Sequence, residues 1–226
     1  MKRQILTLFI FCFVVQLQAQ KLLFIGNSLT YTNNLPSILK QIATVYGKKI
    51  ESDMICYPNY AIVDHLNEGK VQQKIATENY DYVIIQQGPS SQKEGREMLL
   101  DGGKQLTKLC KENNTKLAYF MVWPSKRYYF TFDKVIQNHT DAATKNNALL
   151  FPVGMYWKQF EKLNTRISLY GADQFHPSKA GSFLAALTML KKLYPKEKLK
   201  ELPYKKIRYW VKNKKSFNTM IQLLEN

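Results

Sequence analysis

A serine, an aspartate and a histidine in this sequence have settings that suit nucleophilic catalysis. Ser28 follows the hydrophobic run LLFIG at residues 22–26, and Asp173 and His176 lie far along the chain in GADQFHPSKAGS. Because the residue before a proline is disfavoured in the helical conformation, His176 is expected in an extended loop from which its ring can project. A carboxylate three residues earlier can reach the imidazole, fix its tautomer and stabilise its charged form, which is the third role in a serine triad. The structural alternatives are a helix cap for Ser28 and a turn for the other two residues.

The elements that must position these residues alternate along the chain. Hydrophobic runs predict strands at residues 22–26, 50–57, 80–87, 116–123 and 148–153. Helical patterns predict helices at residues 36–46, 62–77, 93–112, 132–146, 155–163 and 178–193. This order indicates right-handed crossovers and a parallel sheet between two helix layers. Ligands of such sheets bind beyond the carboxyl ends of the strands, so Ser28, Gln86, Gln87 and Trp123 are expected on one rim, which favours the catalytic interpretation.

At this point the motifs resemble those of a known family. GNSLT after the first strand, together with DQFH near the C-terminus, is similar to the SGNH or GDSL-type hydrolases. The resemblance implies an α/β protein with the three-layer α/β/α, flavodoxin-like SGNH hydrolase fold and a five-stranded parallel sheet. It also implies hydrolysis of esters by Ser28, His176 and Asp173, without a cofactor or a metal. The longer string GADQFHPSKAGSFLAAL resembles a bacterial secreted branch often grouped with carbohydrate esterases.

Two blocks that resemble the family's oxyanion hole are altered in this chain. Where the family usually has a glycine after the second strand, this chain has YPNYAIVDH at residues 57–65. The backbone N–H of Asn59 or Tyr60 would therefore join that of Ser28 in holding the oxyanion. Asn27 stands where an aspartate is common beside the nucleophile, which is a mild change.

The third block departs further from the family pattern. VIIQQGPSS at residues 83–91 places Ser90 where the family has the asparagine that donates its side-chain amide. A carboxamide from Gln86 or Gln87 could replace it, since a carboxamide N–H is what asparagine provides. Strand alternation sends these two side chains to opposite faces, so we expect one of them to serve, with Gln86 slightly preferred. The alternative is that both satisfy backbone groups at the strand end.

Aromatic residues near the predicted rim suggest a carbohydrate substrate. Tyr31 and Trp123, with Tyr57 and Tyr60, could stack against sugar rings, although packing is the commoner fate of such residues. His65 could meet substrate at the site entrance or serve as a structural histidine, whereas His139 is expected to face solvent. We therefore expect removal of acetyl or other short acyl groups from a glycan. The alternatives are a lipase or thioesterase and a secreted binding protein without turnover.

The ends of the chain predict export and a basic extension. Residues 1–19 of MKRQILTLFIFCFVVQLQAQ have the charged, apolar and small-residue regions of a signal peptide, with cleavage predicted after Ala19. The product would be secreted or periplasmic, without stable membrane insertion, and residues 20–194 would form the hydrolase domain. Residues 195–226 are predicted to be a basic helical extension packed on that domain.

The net charge and the cysteines predict neither a nucleic-acid-binding protein nor a zinc site. The chain of 226 residues has a net charge of +16, densest near residues 196–215. A solvated helical face explains this better than nucleic-acid binding, which we do not expect. Cys56 and Cys110 are expected to be thiols rather than a disulfide, and the cysteines and three histidines have no zinc-type spacing.

Overall fold

The computed structural model describes residues 18–163 and 165–225, and a five-stranded parallel sheet forms its centre. The spatial order of the strands is β2-β1-β3-β4-β5. Their bounds are β1 Gln20–Gly26, β2 Ile50–Cys56, β3 Tyr82–Ile85, β4 Lys116–Phe120 and β5 Leu149–Phe151. The parallel registers confirm the sheet that the alternation of elements predicts.

Helices connect the strands and cover both faces of the sheet. They are α1 Ser28–Tyr31, α2 Leu35–Val45, α3 Ile62–Glu68, α4 Lys70–Thr77, α5 Lys93–Glu112, α6 Phe132–Lys145, α7 Val153–Glu161, α8 Lys179–Leu193, α9 Tyr204–Ile207 and α10 Lys214–Glu225. The single helix expected over residues 62–77 is two helices. Gly69 separates them with a φ of 75°, a left-handed conformation that ends helices and that glycine adopts most easily.

The first strand shows why the fold has three layers. Leu22 and Phe24 point into the cluster formed with α2, α7 and α8, whereas Leu23 and Ile25 point into the cluster formed with α3, α4 and α5. All four side chains are fully buried. A strand covered on both faces needs a continuous hydrophobic run rather than alternation, which is the pattern of LLFI. The three-layer α/β/α architecture is therefore confirmed.

The C-terminal segment packs against the first of these layers. Leu199, Phe217, Met220 and Leu224 belong to the same buried cluster as α2 and α8. Between them, the basic residues of 204–215 are exposed. None of the helices in the described part of the chain is long and apolar enough to cross a membrane.

Apart from residues 18 and 19, the predicted signal peptide lies outside the described residues, and β1 begins at Gln20, the first residue after the predicted cleavage point. Cys56 is half-buried and Cys110 is buried, and both are thiols.

His139 differs from its expected exposure. Its side chain is buried with those of Val135, Asn138, Ala142 and Ala143, a helical spacing that marks the inner face of α6. The Nδ1–H of His139 donates to the Val135 carbonyl at 2.9 Å, and burial lowers its pKa to about 4. The prediction that this residue faces solvent is wrong, because His139 lies on the face of α6 that packs inward.

Candidate active site

Ser28, His176 and Asp173 form a continuous chain of hydrogen bonds at the carboxyl-end rim of the sheet. The Ser28 hydroxyl lies 2.8 Å from His176 Nε2, across 148 residues of sequence. His176 Nδ1 contacts Asp173 Oδ2, and this bond is the main reason that the pKa of Asp173 is below its usual value. A carboxylate that accepts the Nδ1 proton leaves Nε2 free to accept from Ser28. The geometry is therefore that of a nucleophile, a base and an orienting acid.

The turn after β1 presents the Ser28 hydroxyl because Asn27 takes over the capping of α1. The Leu29 N–H donates to Asn27 Oδ1 at 3.1 Å, so Asn27 is the N-cap and Ser28 is the first helical residue. The cap role considered for Ser28 thus belongs to its neighbour. Ser28 remains half-buried at the rim with its hydroxyl directed at His176.

The loop that carries His176 is held by the same aspartate that orients the imidazole. Asp173 Oδ1 accepts the backbone N–H groups of Phe175 at 3.0 Å and His176 at 2.9 Å. The Gly171 N–H donates to the His176 carbonyl at 2.7 Å. One carboxylate therefore fixes the loop through one oxygen and the ring through the other.

Trp123 anchors this loop instead of facing substrate. Its ring is fully buried and stacks on Trp157 with the centroids 3.5 Å apart. Its indole N–H donates to the Phe175 carbonyl at 3.0 Å. The prediction that Trp123 binds a sugar ring is wrong, because the strand end from which it projects lies beneath the loop of His176.

Gln86 is fully hydrogen-bonded, mainly to the turn after β1 that carries Ser28. Its Oε1 accepts the Asn27 N–H at 3.0 Å and the Thr30 hydroxyl at 2.8 Å. Its amide N–H groups donate to Asn27 Oδ1 at 3.0 Å and to the Gln87 carbonyl at 2.7 Å. Since both amide protons are used, this buried side chain positions Ser28 and has no donor left for an oxyanion, in contrast to the sequence-based expectation.

Gln87 and Ser90 hold each other at the opposite wall. Gln87 Nε2 donates to Ser90 Oγ at 2.8 Å and to the Gly95 carbonyl at 3.0 Å, which uses both of its amide protons as well. The Ser90 hydroxyl donates to the Gly88 carbonyl at 2.7 Å. Asn138 on α6, which the sequence interpretation did not single out, donates to the Ser90 carbonyl at 2.8 Å. The glutamine carboxamides expected in the oxyanion hole thus hold structural contacts here.

The loop after β2 has no glycine, and Asn59 adopts the backbone conformation that favours one. It has a φ of 62°, the left-handed conformation that asparagine tolerates better than most residues. The Asn27 side-chain amide donates to the Tyr60 carbonyl at 2.9 Å and ties this loop to the nucleophile turn. The Tyr60 N–H donates to the Tyr57 carbonyl at 3.4 Å, whereas the N–H groups of Asn59 and Ser28 have no acceptor among the described residues. Those two N–H groups are therefore free to donate to a ligand in the hollow that Ser28 and Asn59 line.

His65 supports the site from below. It is only 1% exposed, and its Nε2–H donates to the Gly26 carbonyl at 2.8 Å. Burial lowers its pKa, and the rings of Tyr57 and Tyr60 cover it with centroids 5.9 and 5.1 Å away. Direct contact of His65 with substrate is therefore excluded in this arrangement. Tyr31 is half-buried on α1 and lines neither of the two hollows that open at this rim of the sheet.

Two adjoining hollows open at the rim. The smaller one has a volume of about 360 Å³ and contains Ser28, with Asn59, Tyr60 and Met98 in its wall. The larger one has a volume of about 740 Å³ and is lined in part by Arg127, Tyr128 and Phe130. These three residues were missed in the sequence, although KRYYF at 126–130 follows the fourth strand at the same rim. No group of three or more potential metal ligands occurs in residues 18–163 and 165–225.

Solved structures of similar shape were found, although no family model and no curated protein sequence matches the chain. A protein assigned to the SGNH hydrolases, from Slackia heliotrinireducens, is 23% identical with a TM-score of 0.65, over 78% of this chain and 100% of that one. A DUF4886 family protein from Bacteroides uniformis is 16% identical with a TM-score of 0.75, over 92% and 94%.

An esterase is also among these structures. A variant of an acetyl-xylooligosaccharide esterase from Geobacillus is 16% identical with a TM-score of 0.57, over 85% of this chain and 99% of that one. Identities at this level establish architecture rather than activity. Together with the sheet order and the helix layers, they show that the chain has the fold of the SGNH hydrolases.

Proposed function

We propose that this protein is a serine ester hydrolase that removes acetyl or other short acyl groups from a carbohydrate. The observation that carries the proposal is the hydrogen-bonded chain Ser28–His176–Asp173 beside an open hollow. A nucleophile, a base within hydrogen-bond reach and an orienting acid are the parts that acyl transfer needs. The solved structures of the same fold include esterases, which supports this class of reaction.

The reaction would proceed by acyl transfer to Ser28 and then to water. His176 Nε2 takes the hydroxyl proton as Ser28 Oγ attacks the ester carbonyl, while Asp173 stabilises the imidazolium. The backbone N–H groups of Ser28 and Asn59 are the donors we assign to the developing oxyanion. His176 then returns the proton to the leaving alcohol, and a water molecule repeats the sequence to release the acid.

The dimensions of the smaller hollow support a short acyl group. Its volume of about 360 Å³ accommodates an acetyl or other short acyl group beside the reacting carbonyl. A second candidate is a lipase-type activity, because the adjoining hollow is larger and partly aromatic and a lipase/acylhydrolase from Enterococcus faecalis has the same fold. A chain-length series of 4-nitrophenyl esters separates the two, since a short-acyl enzyme prefers the acetate.

We further propose that the enzyme acts outside the cytoplasm after removal of residues 1–19. The test is N-terminal sequencing of protein exported by a bacterial host, with Gln20 expected as the first residue. Recovery of an intact Met1 from the exported fraction would contradict this proposal.

The decisive experiment is labelling of the nucleophile with a fluorophosphonate. We expect stoichiometric labelling at Ser28, none in Ser28→Ala, and unchanged labelling in the matched variant Ser37→Ala on α2, away from both hollows. Hydrolysis of 4-nitrophenyl acetate should fall by at least about 10⁴-fold in Ser28→Ala, because loss of a triad nucleophile removes the covalent route. Full activity in that variant would reject the mechanism, and labelling of Ser28 without turnover of any ester would favour a binding protein.

A further inference from the structure

The larger hollow continues directly from the cleft that holds the nucleophile. The two share Pro89, Ser90, Gly95 and Phe175 in their walls. Its volume of about 740 Å³ is in the range of small-molecule sites. A substrate whose ester carbonyl sits at Ser28 can therefore extend into it without leaving the protein surface.

The position of His176 identifies which half of an ester would enter this hollow. His176 must protonate the leaving alcohol, so that alcohol departs on the side of the imidazole. The wall of the larger hollow includes Asp173, Gln174 and Phe175, which belong to the loop that carries His176. The larger hollow thus lies on the alcohol side, and the acyl group is left to the smaller one. This step rests on the function proposed above.

The wall of the hollow carries aromatic side chains that the fold leaves exposed. Tyr128 is 51% exposed and Phe130 is 82% exposed, with their rings edge to face at 6.3 Å. Large aromatic side chains exposed side by side indicate a contact surface more often than a packing surface. Their faces suit the apolar C–H face of a sugar ring.

A cation that pairs with no carboxylate of the described residues lies at the same wall. The Arg127 guanidinium is 5.5 Å from the centroid of the Tyr128 ring, and no carboxylate within the described residues pairs with it. Its neighbour Lys126, by contrast, is paired with Glu161 at 2.6 Å. Asp173 is the acidic group in the wall, but its oxygens are bound to His176 and to two backbone N–H groups. Arg127 is therefore available to an anionic group of the substrate.

We propose that the larger hollow is the subsite for the alcohol part of the ester and that it selects a sugar carrying a carboxylate. In this arrangement Tyr128 and Phe130 contact the sugar ring and Arg127 binds the carboxylate. A guanidinium is suited to this role because its planar donors match the two carboxylate oxygens.

Binding to a variant that cannot turn over tests the subsite independently of catalysis. The probes are the mono-O-acetyl esters of methyl glucuronide and methyl glucoside, which differ only in the carboxylate. NMR titration of full-length Ser28→Ala should show binding of the glucuronide about tenfold tighter than that of the glucoside. Adding Arg127→Gln should remove the preference, and adding Arg208→Gln, which deletes the same charge from the exposed basic segment, should keep it. Equal affinity for the two sugars, or an equal effect of the two arginine variants, would overturn the proposal.

Turnover by the active protein separates failure of the subsite from failure of the function. Phe130→Ala should lower kcat/KM for both sugar acetates about tenfold relative to the kcat/KM of the same variant for ethyl acetate, measured as released acetate. An active enzyme in which Phe130→Ala affects neither sugar would contradict the subsite alone. Absence of acetate release from all three esters would contradict the proposed function, and the binding titration would still decide whether the subsite exists.

Discussion

At the scale of single residues, Asn27 makes a hydrogen bond that an aspartate could not make. Its Oδ1 caps α1, while its Nδ2–H donates to the Tyr60 carbonyl at 2.9 Å. The same Oδ1 accepts from Gln86 at 3.0 Å. A carboxylate could accept both bonds but could not donate the third. The residue beside the nucleophile is therefore matched to a loop in which Asn59 takes the place of glycine.

Asn27→Asp should consequently impair the oxyanion hole more than the nucleophile. The lost donor would leave a carboxylate oxygen facing the Tyr60 carbonyl and loosen the loop that carries the Asn59 N–H. A single hydrogen bond of this kind is worth about 1 kcal/mol, so kcat/KM for 4-nitrophenyl acetate should fall about fivefold. The control is Asn218→Asp on α10, an exposed change of the same charge. Unchanged kinetics in Asn27→Asp would show that the contact with Tyr60 does not position the loop.

At the scale of elements, the loop between Leu169 and Ser178 is the part of the site that depends most on its support. The Ser178 N–H donates to the Leu169 carbonyl at 2.8 Å and closes the loop before α8. The end of the segment after β4 supports it from beneath through the Trp123 indole. His176 is thus held by a short loop whose two ends and underside are all fixed by hydrogen bonds.

Trp123→Phe should separate support of this loop from packing of the core. The substitution keeps an aromatic ring against Trp157 but leaves the partly buried Phe175 carbonyl without its donor. An unsatisfied buried group costs about 1–3 kcal/mol, which urea unfolding would measure. We also expect a lower kcat, because Phe175 adjoins His176. Trp157→Phe is the matched variant, since it makes the same indole-to-phenyl change in the same stack without removing that hydrogen bond. An equal loss of kcat in both variants would show that only packing matters.

At the scale of the whole molecule, folding brings together residues from opposite ends of the chain and buries two histidines in neutral form. His65 and His139 both have a pKa below the usual value, and burial is the main cause in each case. Protonation must therefore favour the unfolded state. The stabilisation from neutral burial is complete above the unfolded pKa of 6.5 and is lost as the pH falls towards the folded pKa.

His139 should dominate this loss of stability in acid. Between its ordinary pKa of 6.5 and its folded pKa of about 4, the shift corresponds to a loss on the order of 3 kcal/mol in the free energy of unfolding. His139→Gln cannot titrate and should flatten the pH dependence over this range by that amount, as measured by urea unfolding at several pH values. The comparison concerns the slope with pH rather than the stability at any one pH. Parallel curves for the wild type and His139→Gln would contradict the assignment.

Much of the fold and the core of the site could be predicted because both depend on local pattern. The run LLFI requires a strand covered on two faces, and the turn at its end presents Ser28. Asp173 and His176 are three residues apart, so their contact is set by the loop itself. The meeting of that loop with Ser28 follows from the rule that parallel strands share one carboxyl-end rim.

The fate of the other polar and aromatic residues was decided only by tertiary structure. Gln86 bonds to Asn27, which lies 59 residues away in the sequence. Trp123 donates to the Phe175 carbonyl, which lies 52 residues away. Whether an amide faces a cleft or satisfies a buried turn depends on which distant groups need a donor, and no local spacing encodes that. The sequence by itself therefore determined the sheet and the meeting of Ser28, His176 and Asp173 at its rim. Long-range packing determined which N–H groups stay free for an oxyanion and which aromatic rings remain exposed to a substrate.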